Sequence, residues 1–534
     1  MSPILVNGGQ ALVDALVAHE VETVFGIPGT HNLAIYSAIK ESSIRHITPR
    51  HEQGAGYAAD GYARVSGRPG VVVTTTGPAI LNAAAAAAQA QSDSVPVLFI
   101  APGMPLRHPG GYNGLLHEVK SQFDAMSAVV AHAQRVTSVE EIPHAVAQCF
   151  AAMTSGRPRP AYLEIPLDLL EQEAEVRTEA PVVAPAAAPG TTQLAAALDL
   201  LAAAERPLVI AGGGASGAAA ELRAFAEAID APVVTSANGK GVLAEDHPLA
   251  LGAGVHLEAT LELVRESDLV VAVGTELAPA DWWWGPVPET PLVRIDVDPL
   301  AVNTNARPAV AVVGDAALAL AGLNAGLEQR SVTPRDRDGA ARAASWRTRL
   351  GAEARTMGAA YVGLCESLAE VLDDDAVVTA DQSMSCYYGL MANLPRYRAR
   401  SFLYPAGLGT LGYALPAATG AKLALPDRQV VAVLGDGGVM FSVAELAAAA
   451  EAGVALPVVI VDNGGYGEIR NEMRDRDGRV IAVDLPGTDF PALARAMGCD
   501  GIAVDSYAEV GPAVLKAFSA DRPTLIHVRE PAVS

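Results

Sequence analysis

The chain of 534 residues is poor in cysteine, in aromatic side chains and in positive charge. Its four cysteines, Cys149, Cys365, Cys386 and Cys499, are scattered and form no CxxC pair. That spacing argues against a zinc site or a disulfide framework and fits a reducing cytoplasm. Cys386 is read as ordinary packing. Lys plus Arg number 37 against 60 Asp plus Glu, a net charge of -23. So acidic a surface repels a phosphate backbone, and no nucleic-acid partner is expected. Long apolar runs are missing too. None exceeds six residues; one of that length, 83–88, is all alanine and falls far short of the roughly 20 residues that span a bilayer. The first residues show no basic region followed by an apolar run and a cleavage site, so neither export nor membrane insertion is expected.

What remains is ample core-forming material. Half of the residues are hydrophobic and only 18% are charged. Short β-branched runs alternate with alanine-rich helical stretches: 71–75, 97–100, 208–210, 269–273, 377–379, 430–434 and 458–461 read as buried parallel strands. This alternation predicts α/β architecture with doubly wound parallel sheets. Two stretches break it. Residues 173–192 are rich in Pro, Ala and Val, and residues 326–344 carry Arg335, Asp336, Arg337 and Asp338 in a row. Read as linkers, they leave three domains at 1–172, 193–325 and 345–534. No short-period repeat is present.

The strongest chemical signal lies in the third block. Gly435-Asp436-Gly437-Gly438 follows directly on the strand 430–434. A strand, a glycine turn and a helix let backbone N–H groups approach a diphosphate closely. Asp436 adds a carboxylate where Mg2+ would bridge the phosphates. The strand 458–461 ends in Asp462-Asn463-Gly464-Gly465-Tyr466-Gly467. Neighbouring strand ends lie close together, so the Asn463 side-chain oxygen and the Gly465 carbonyl can join Asp436 at one ion. Either turn alone is common structural punctuation.

Together, with 24 residues between Gly437 and Asp462, they resemble the signature of the thiamine-diphosphate enzymes, in which Gly-Asp-Gly is followed by Asn-Asn. Asp462 replaces the first Asn; the second is Asn463. The run 407–416 is similar to the same family. It implies that Leu411 props the thiamine into its bent shape and that the Gly409 carbonyl accepts from the aminopyrimidine. Ser383 and Ser385, after the strand 377–379, stand where relatives contact the diphosphate. Residues Gly435, Gly437, Gly438, Tyr466 and Gly467 complete the implied cofactor set.

In the first block, Val24-Phe25-Gly26-Ile27-Pro28-Gly29-Thr30, then residues 50–64, then Gly77-Pro78-Ala79-Ile80-Leu81-Asn82 resemble the pyrimidine-binding domain of these enzymes. Pro28 and Asn82 are implied cofactor contacts. Glu52 is the implied activating carboxylate, hydrogen-bonded to the aminopyrimidine ring and moving protons there. Ala79 stands where the family has glycine. His117, in Leu115-Leu116-His117-Glu118, aligns with a region where decarboxylase relatives carry catalytic histidines. His31 and Gln122 are weaker pocket candidates. Thr75 stands where some aryl-oxo-acid decarboxylases have a histidine, so that subfamily fits poorly.

The order of the blocks implies a pyrimidine-binding, a middle and a diphosphate-binding domain, with the cofactor held between two subunits of a homodimer or homotetramer. The glycine turn 211–217 in the middle block lacks a proper dinucleotide fingerprint. FAD there, as in acetohydroxyacid synthases, is the less favoured expectation. Trp282-Trp283-Trp284 lines an entrance or subunit contact, or fills a loop core. The implied reaction is decarboxylation of a 2-oxo acid to an aldehyde. Residues 48–56, 116–118 and 464–473 look closest to 5-guanidino-2-oxopentanoate decarboxylases. Glu468 then offers a carboxylate to the guanidinium, or simply suits a helix start. Glu52, His117 and Glu468 form the candidate catalytic set. The runner-up is an acetolactate-synthase-like carboligase.

Overall fold

The computed structural model describes residues 3–177, 184–330 and 338–531. Its strands in chain order are β1 (Ile4–Asn7), β2 (Thr23–Gly26), β3 (Arg45–Ile47), β4 (Gly70–Val73), β5 (Val97–Gly103), β6 (His132–Arg135), β7 (Ala161–Pro166), β8 (Glu173–Val176), β9 (Pro207–Ala211), β10 (Val233–Thr235), β11 (Leu269–Val273), β12 (Leu292–Asp296), β13 (Val310–Val313), β14 (Val377–Ala380), β15 (Phe402–Leu403), β16 (Val430–Gly435), β17 (Pro457–Asp462), β18 (Asp500–Val504) and β19 (Thr524–Arg529). Three parallel sheets follow one another along the chain, in the orders β3-β2-β4-β5-β7-β6, β10-β9-β11-β12-β13 and β15-β14-β16-β17-β19-β18. Helices cover them, which explains why the central strands read as unbroken Val, Ile and Leu runs. The fold is three α/β domains.

The first and third sheets have the same strand order. In each, the second strand lies beside the first on one side and the third strand on the other. The chain therefore reverses direction of travel between β2 and β4, and again between β14 and β16. Such switch points open a crevice beyond the carboxyl ends of the strands. Residue patterns do not show this likeness, because strand order is set by the crossovers.

The two stretches read as linkers are partly structured. Glu173–Val176 buries alternate side chains and pairs antiparallel with β1, closing the first domain. Thr191 opens the helix Thr191–Ala203. The helix Ala316–Gln329 runs into the second stretch and Gly339–Met357 runs out of it; Arg335, Asp336 and Arg337 lie outside the described residues. The latter helix packs Trp346 and Leu350 with Leu208, Val234 and Val270 of the middle domain. Among the described residues no helix is long and apolar enough to cross a membrane.

The first and third domains meet through two helices. Helix α1 (Glu52–Ser66) is capped by the His51 side chain at its start and by Gly67 in a left-handed conformation at its end. It lies against helix α2 (Ala414–Ala424). Gly61 rests on the Ala417 carbonyl, and Gly420 rests on the Ala58 carbonyl. At both positions a Cβ would strike backbone. Around this contact Arg64 pairs with Asp60 at 2.6 Å and Asp93 at 2.8 Å. Tyr413 Oη donates to Asp60 at 2.6 Å. Burial works against the Arg64 charge, but Asp60, Tyr413 and Asp93 hold its pKa well above the ordinary value. A charge so buried is tolerated only when paired this fully. Gly420→Ala should therefore push the two helices apart and cost about 1–3 kcal/mol, seen as a lower unfolding midpoint by calorimetry.

Candidate active site

The crevice of the third domain is a cavity of about 610 Å3. Every third-domain candidate lines it: Ser383 and Ser385, Gly409 and Leu411, residues 435–438, Asn463, and residues 465–468. β16 delivers Gly435, and the turn that follows is the first turn of a short helix, Asp436–Val439, rather than a free loop. β17 delivers Asp462, and Gly465, at φ +136°, makes a bend that only glycine adopts freely. Tyr466 lies over Gly437, where a Cβ would be 3.0 Å from the ring.

These residues fit a magnesium–diphosphate group. The Asn463 Oδ1 is buried with no partner in the fold, an acceptor left for something else. Asp436 is 6% exposed. Burial first, then the neighbouring Asp462 charge, pushes its carboxyl up to about 6, an environment that a cation would relieve. The Asn463 N–H reaches Asp436 Oδ1 at 3.4 Å, holding the two strand ends together. One carboxylate, one amide oxygen and one carbonyl are hard oxygen ligands of the kind Mg2+ takes alongside phosphate. Among the described residues no group of three or more His, Cys, Asp and Glu could hold a metal. The departure at Asp462 has its own partner: His527 Nε2 on β19 lies 2.9 Å from its Oδ2.

The first-domain candidates sit elsewhere. None of the described residues lining this cavity comes from the first domain. Glu52 is half-buried at the first turn of α1 and accepts from Asn82 Nδ2 at 3.0 Å. Pro28 and Asn82 are exposed. His117, at φ +64°, joins His31 through Thr76: His31 Nδ1 is 2.6 Å and His117 Nδ1 3.2 Å from the hydroxyl. Burial, then His117, holds His31 below the ordinary histidine value. Gln122 is buried and supports the turn, accepting from the Gly77 N–H at 2.6 Å and donating to the Pro102 carbonyl at 2.8 Å. Cys386 is fully buried, its thiol pushed up to about 12 by burial, as packing requires.

Two carboxylates escaped the sequence reading. Asp381 is fully buried and pushed up to about 7 by burial; it accepts from the Gly412 N–H at 2.9 Å and so ties the Leu411 loop to β14. Glu445, 3% exposed, accepts from the N–H groups of Arg50 and His51 at 3.0 and 2.9 Å, bracing the backbone just before Glu52. Neither sits in a recognisable local pattern. Their partners lie far away in sequence, so only the tertiary contact reveals them.

The glycine turn of the middle domain lines a second cavity of about 450 Å3. Two of its N–H groups are already bonded, Gly212 to the Val273 carbonyl and Gly214 to the Gly274 carbonyl. A flavin dinucleotide therefore finds no free phosphate-binding N–H groups at these two residues. The three tryptophans divide: Trp282 is in the core, Trp283 lines the third-domain cavity, and Trp284 is exposed.

The glycine turns and the orphaned Asn463 oxygen beside Asp436 give the cavity beyond β14 and β16 the form of a diphosphate-cofactor site in an α/β enzyme. Three family models match along the chain. They are the thiamine pyrophosphate enzyme N-terminal TPP binding domain over residues 6–128, the central domain over 194–323, and the C-terminal TPP binding domain over 383–528. The chain belongs to the thiamine pyrophosphate enzymes. It is 40% identical to a probable 2-ketoarginine decarboxylase, AruI, of Pseudomonas aeruginosa, over 98% of this chain and 94% of that protein. It is 36% identical to an acetolactate synthase large subunit of Parasynechococcus marenigrum, over 99% of this chain and 88% of that one. Identity to acetolactate synthase isozyme 1 large subunit of Escherichia coli is 30%, over 98% and 94%.

Glu445 gives a pH test. Burial raises its folded pKa to about 7, against an ordinary value of 4.5. A raised acid contributes stability that is present below the unfolded pKa and is lost as pH rises through the folded one. Glu445→Gln keeps an oxygen for both N–H groups and removes the titration. Its unfolding midpoint relative to the parent should rise between pH 5 and pH 8; a constant difference contradicts the assignment.

Proposed function

We propose that the chain is a thiamine-diphosphate- and Mg2+-dependent decarboxylase that converts a 2-oxo acid, 5-guanidino-2-oxopentanoate (2-ketoarginine), to an aldehyde. The observation that carries it is the unpartnered Asn463 oxygen beside Asp436 in a glycine-walled cavity. The similarity to the probable 2-ketoarginine decarboxylase of Pseudomonas supports the substrate.

In this reading Asp436, Asn463 Oδ1 and the Gly465 carbonyl hold Mg2+. Residues 435–438, Ser383 and Ser385 receive the diphosphate. Leu411 supports the thiamine from below, and the Gly409 carbonyl, with Tyr466 and Gly467, lines its seat. Bound thiamine diphosphate supplies the electron sink that accepts the pair released with CO2. Glu52, steadied by Asn82, binds the pyrimidine ring and moves a proton at its carboxyl, and Pro28 is a further cofactor contact. His117 supplies a proton to product, with Thr76 and His31 as its hydrogen-bonded support.

Glu52 and Asp436 do not share a cavity within one chain, so the complete site takes Glu52 from one subunit and Asp436 from another. Exposed apolar residues flank both halves: Leu81, Leu115 and Leu116 on one, Leu408, Met440 and Phe441 on the other. Such surface suits a homodimer or homotetramer interface. Four free, buried cysteines accord with a cytoplasmic location.

The second reading, carboligation of the decarboxylated fragment to another carbonyl, is favoured by the acetolactate synthase relatives. Mass spectrometry of products from the guanidino acid and from pyruvate separates the two. We expect an aldehyde one CO2 lighter than the guanidino acid. Acetolactate from pyruvate with the guanidino acid untouched would overturn the decarboxylase reading. Asp436→Ala should lower turnover by about 100-fold or more and weaken Mg2+-dependent binding of thiamine diphosphate by calorimetry.

A further inference from the structure

Beyond the metal end, the cavity is walled by rings. Tyr387 and Tyr388, on the helical turn Ser385–Leu390, stand nearly perpendicular at 4.6 Å between centroids. Trp283 reaches in from the middle domain and meets them edge-on at 6.2 and 6.1 Å. Glu468 lines the same cavity and accepts from Tyr388 Oη at 2.8 Å. It stands next to Gly467, which packs against the Asn463 side chain, so this wall adjoins the metal end.

The charges are one-sided. No Lys or Arg is among the described lining residues, while four carboxylates are. Of the four, only Glu468 bonds one of the cavity-wall rings. Asp436 belongs to the metal end, Glu530 accepts from Tyr361 Oη at 2.9 Å, and burial pushes Asp281 up to about 7. Glu468 has no ion pair among the described residues, and its hydrogen bond comes from a neutral phenol. Among the described lining residues the one histidine, His256, is 4% exposed and lies tilted against Trp283 at 4.8 Å between ring centroids. Its Nε2 has no partner in the fold. Burial first and Lys240 second lower its pKa to about 3, so it adds no positive charge.

We propose that Glu468, Trp283, Tyr387 and Tyr388 form a cation box that receives the guanidinium tail of the substrate. The inference rests on the decarboxylase reading above and adds the residues that select the tail. A carboxylate binds a guanidinium through charge-assisted hydrogen bonds, and the ring faces attract the delocalised cation. An anionic tail would meet only carboxylates there. Trp283 makes the middle domain part of substrate selection.

The test compares kcat/KM for 5-guanidino-2-oxopentanoate with that for the uncharged 5-ureido-2-oxopentanoate, in the holoenzyme and in two variants. Glu468→Gln should cut the guanidino-to-ureido ratio by about 30-fold, and Trp283→Ala by about fivefold, with Trp283→Phe restoring part of it. Calorimetry with unreactive 5-guanidinopentanoate should show the same ranking of affinities. Ratios within twofold of the parent in both variants overturn the box even if the parent releases the aldehyde. If the parent releases none, yet 5-guanidinopentanoate binds in a manner dependent on Glu468 and Trp283, the box stands and the decarboxylase reading fails.

Discussion

The close contact of α1 with α2 governs the rest of the molecule. Gly61 and Gly420 let two helices from different domains approach backbone to backbone, and the buried Asp60–Arg64–Asp93 cluster leaves little freedom to slide or rotate. Overpacking or separation there would unpair charges that are largely shielded from water. Because Glu52 is the first residue of α1, this contact also fixes where its carboxylate points. It stands beside Asn82 and the Glu445 brace, outside the cavity that holds Asp436. A single rigid helix pair thus separates the two halves of the candidate site.

The cavity itself depends on a second constraint, the switch point between β14 and β16. Parallel strands bring Asp381, Gly435 and Asp462 to one edge, where side chains compete for very little water. The fold answers the burden of buried carboxylates in three different ways. Asp381 is satisfied by backbone N–H groups, Asp462 by His527, and Asp436 only partly by the Asn463 N–H. Asp436, whose bond from Asn463 is long at 3.4 Å, lies beside the orphaned Asn463 oxygen. In physical terms that is where a divalent cation is most stabilising.

Much of this was legible in the sequence. Buried strands such as 269–273 and 430–434 announce themselves as uniform β-branched runs, and the glycine turns at their ends line the two cavities. What could not be read falls into two kinds. Edge strands such as β6 and β18 carry charged and polar residues and lack a clear period. Glu445, Asp381, Trp283 and Tyr388 act through partners dozens to hundreds of residues away, so their meaning appears only when the chain is folded. The stretch 173–176 shows the same effect: an alternating pattern too short to read becomes a strand once β1 lies beside it.

The central claim is that one working site takes Glu52 from one chain and Asp436 from another. Subunit mixing tests it directly. Glu52→Gln and Asp436→Ala proteins, each inactive alone, are separately tagged, mixed under conditions of subunit exchange, and assayed after both tags confirm co-assembly. A mixed dimer rebuilds one intact site from the two undamaged halves, so about one quarter of parental activity should return in an equal mixture. Co-assembly with no recovery would contradict the account and place the whole site within a single chain.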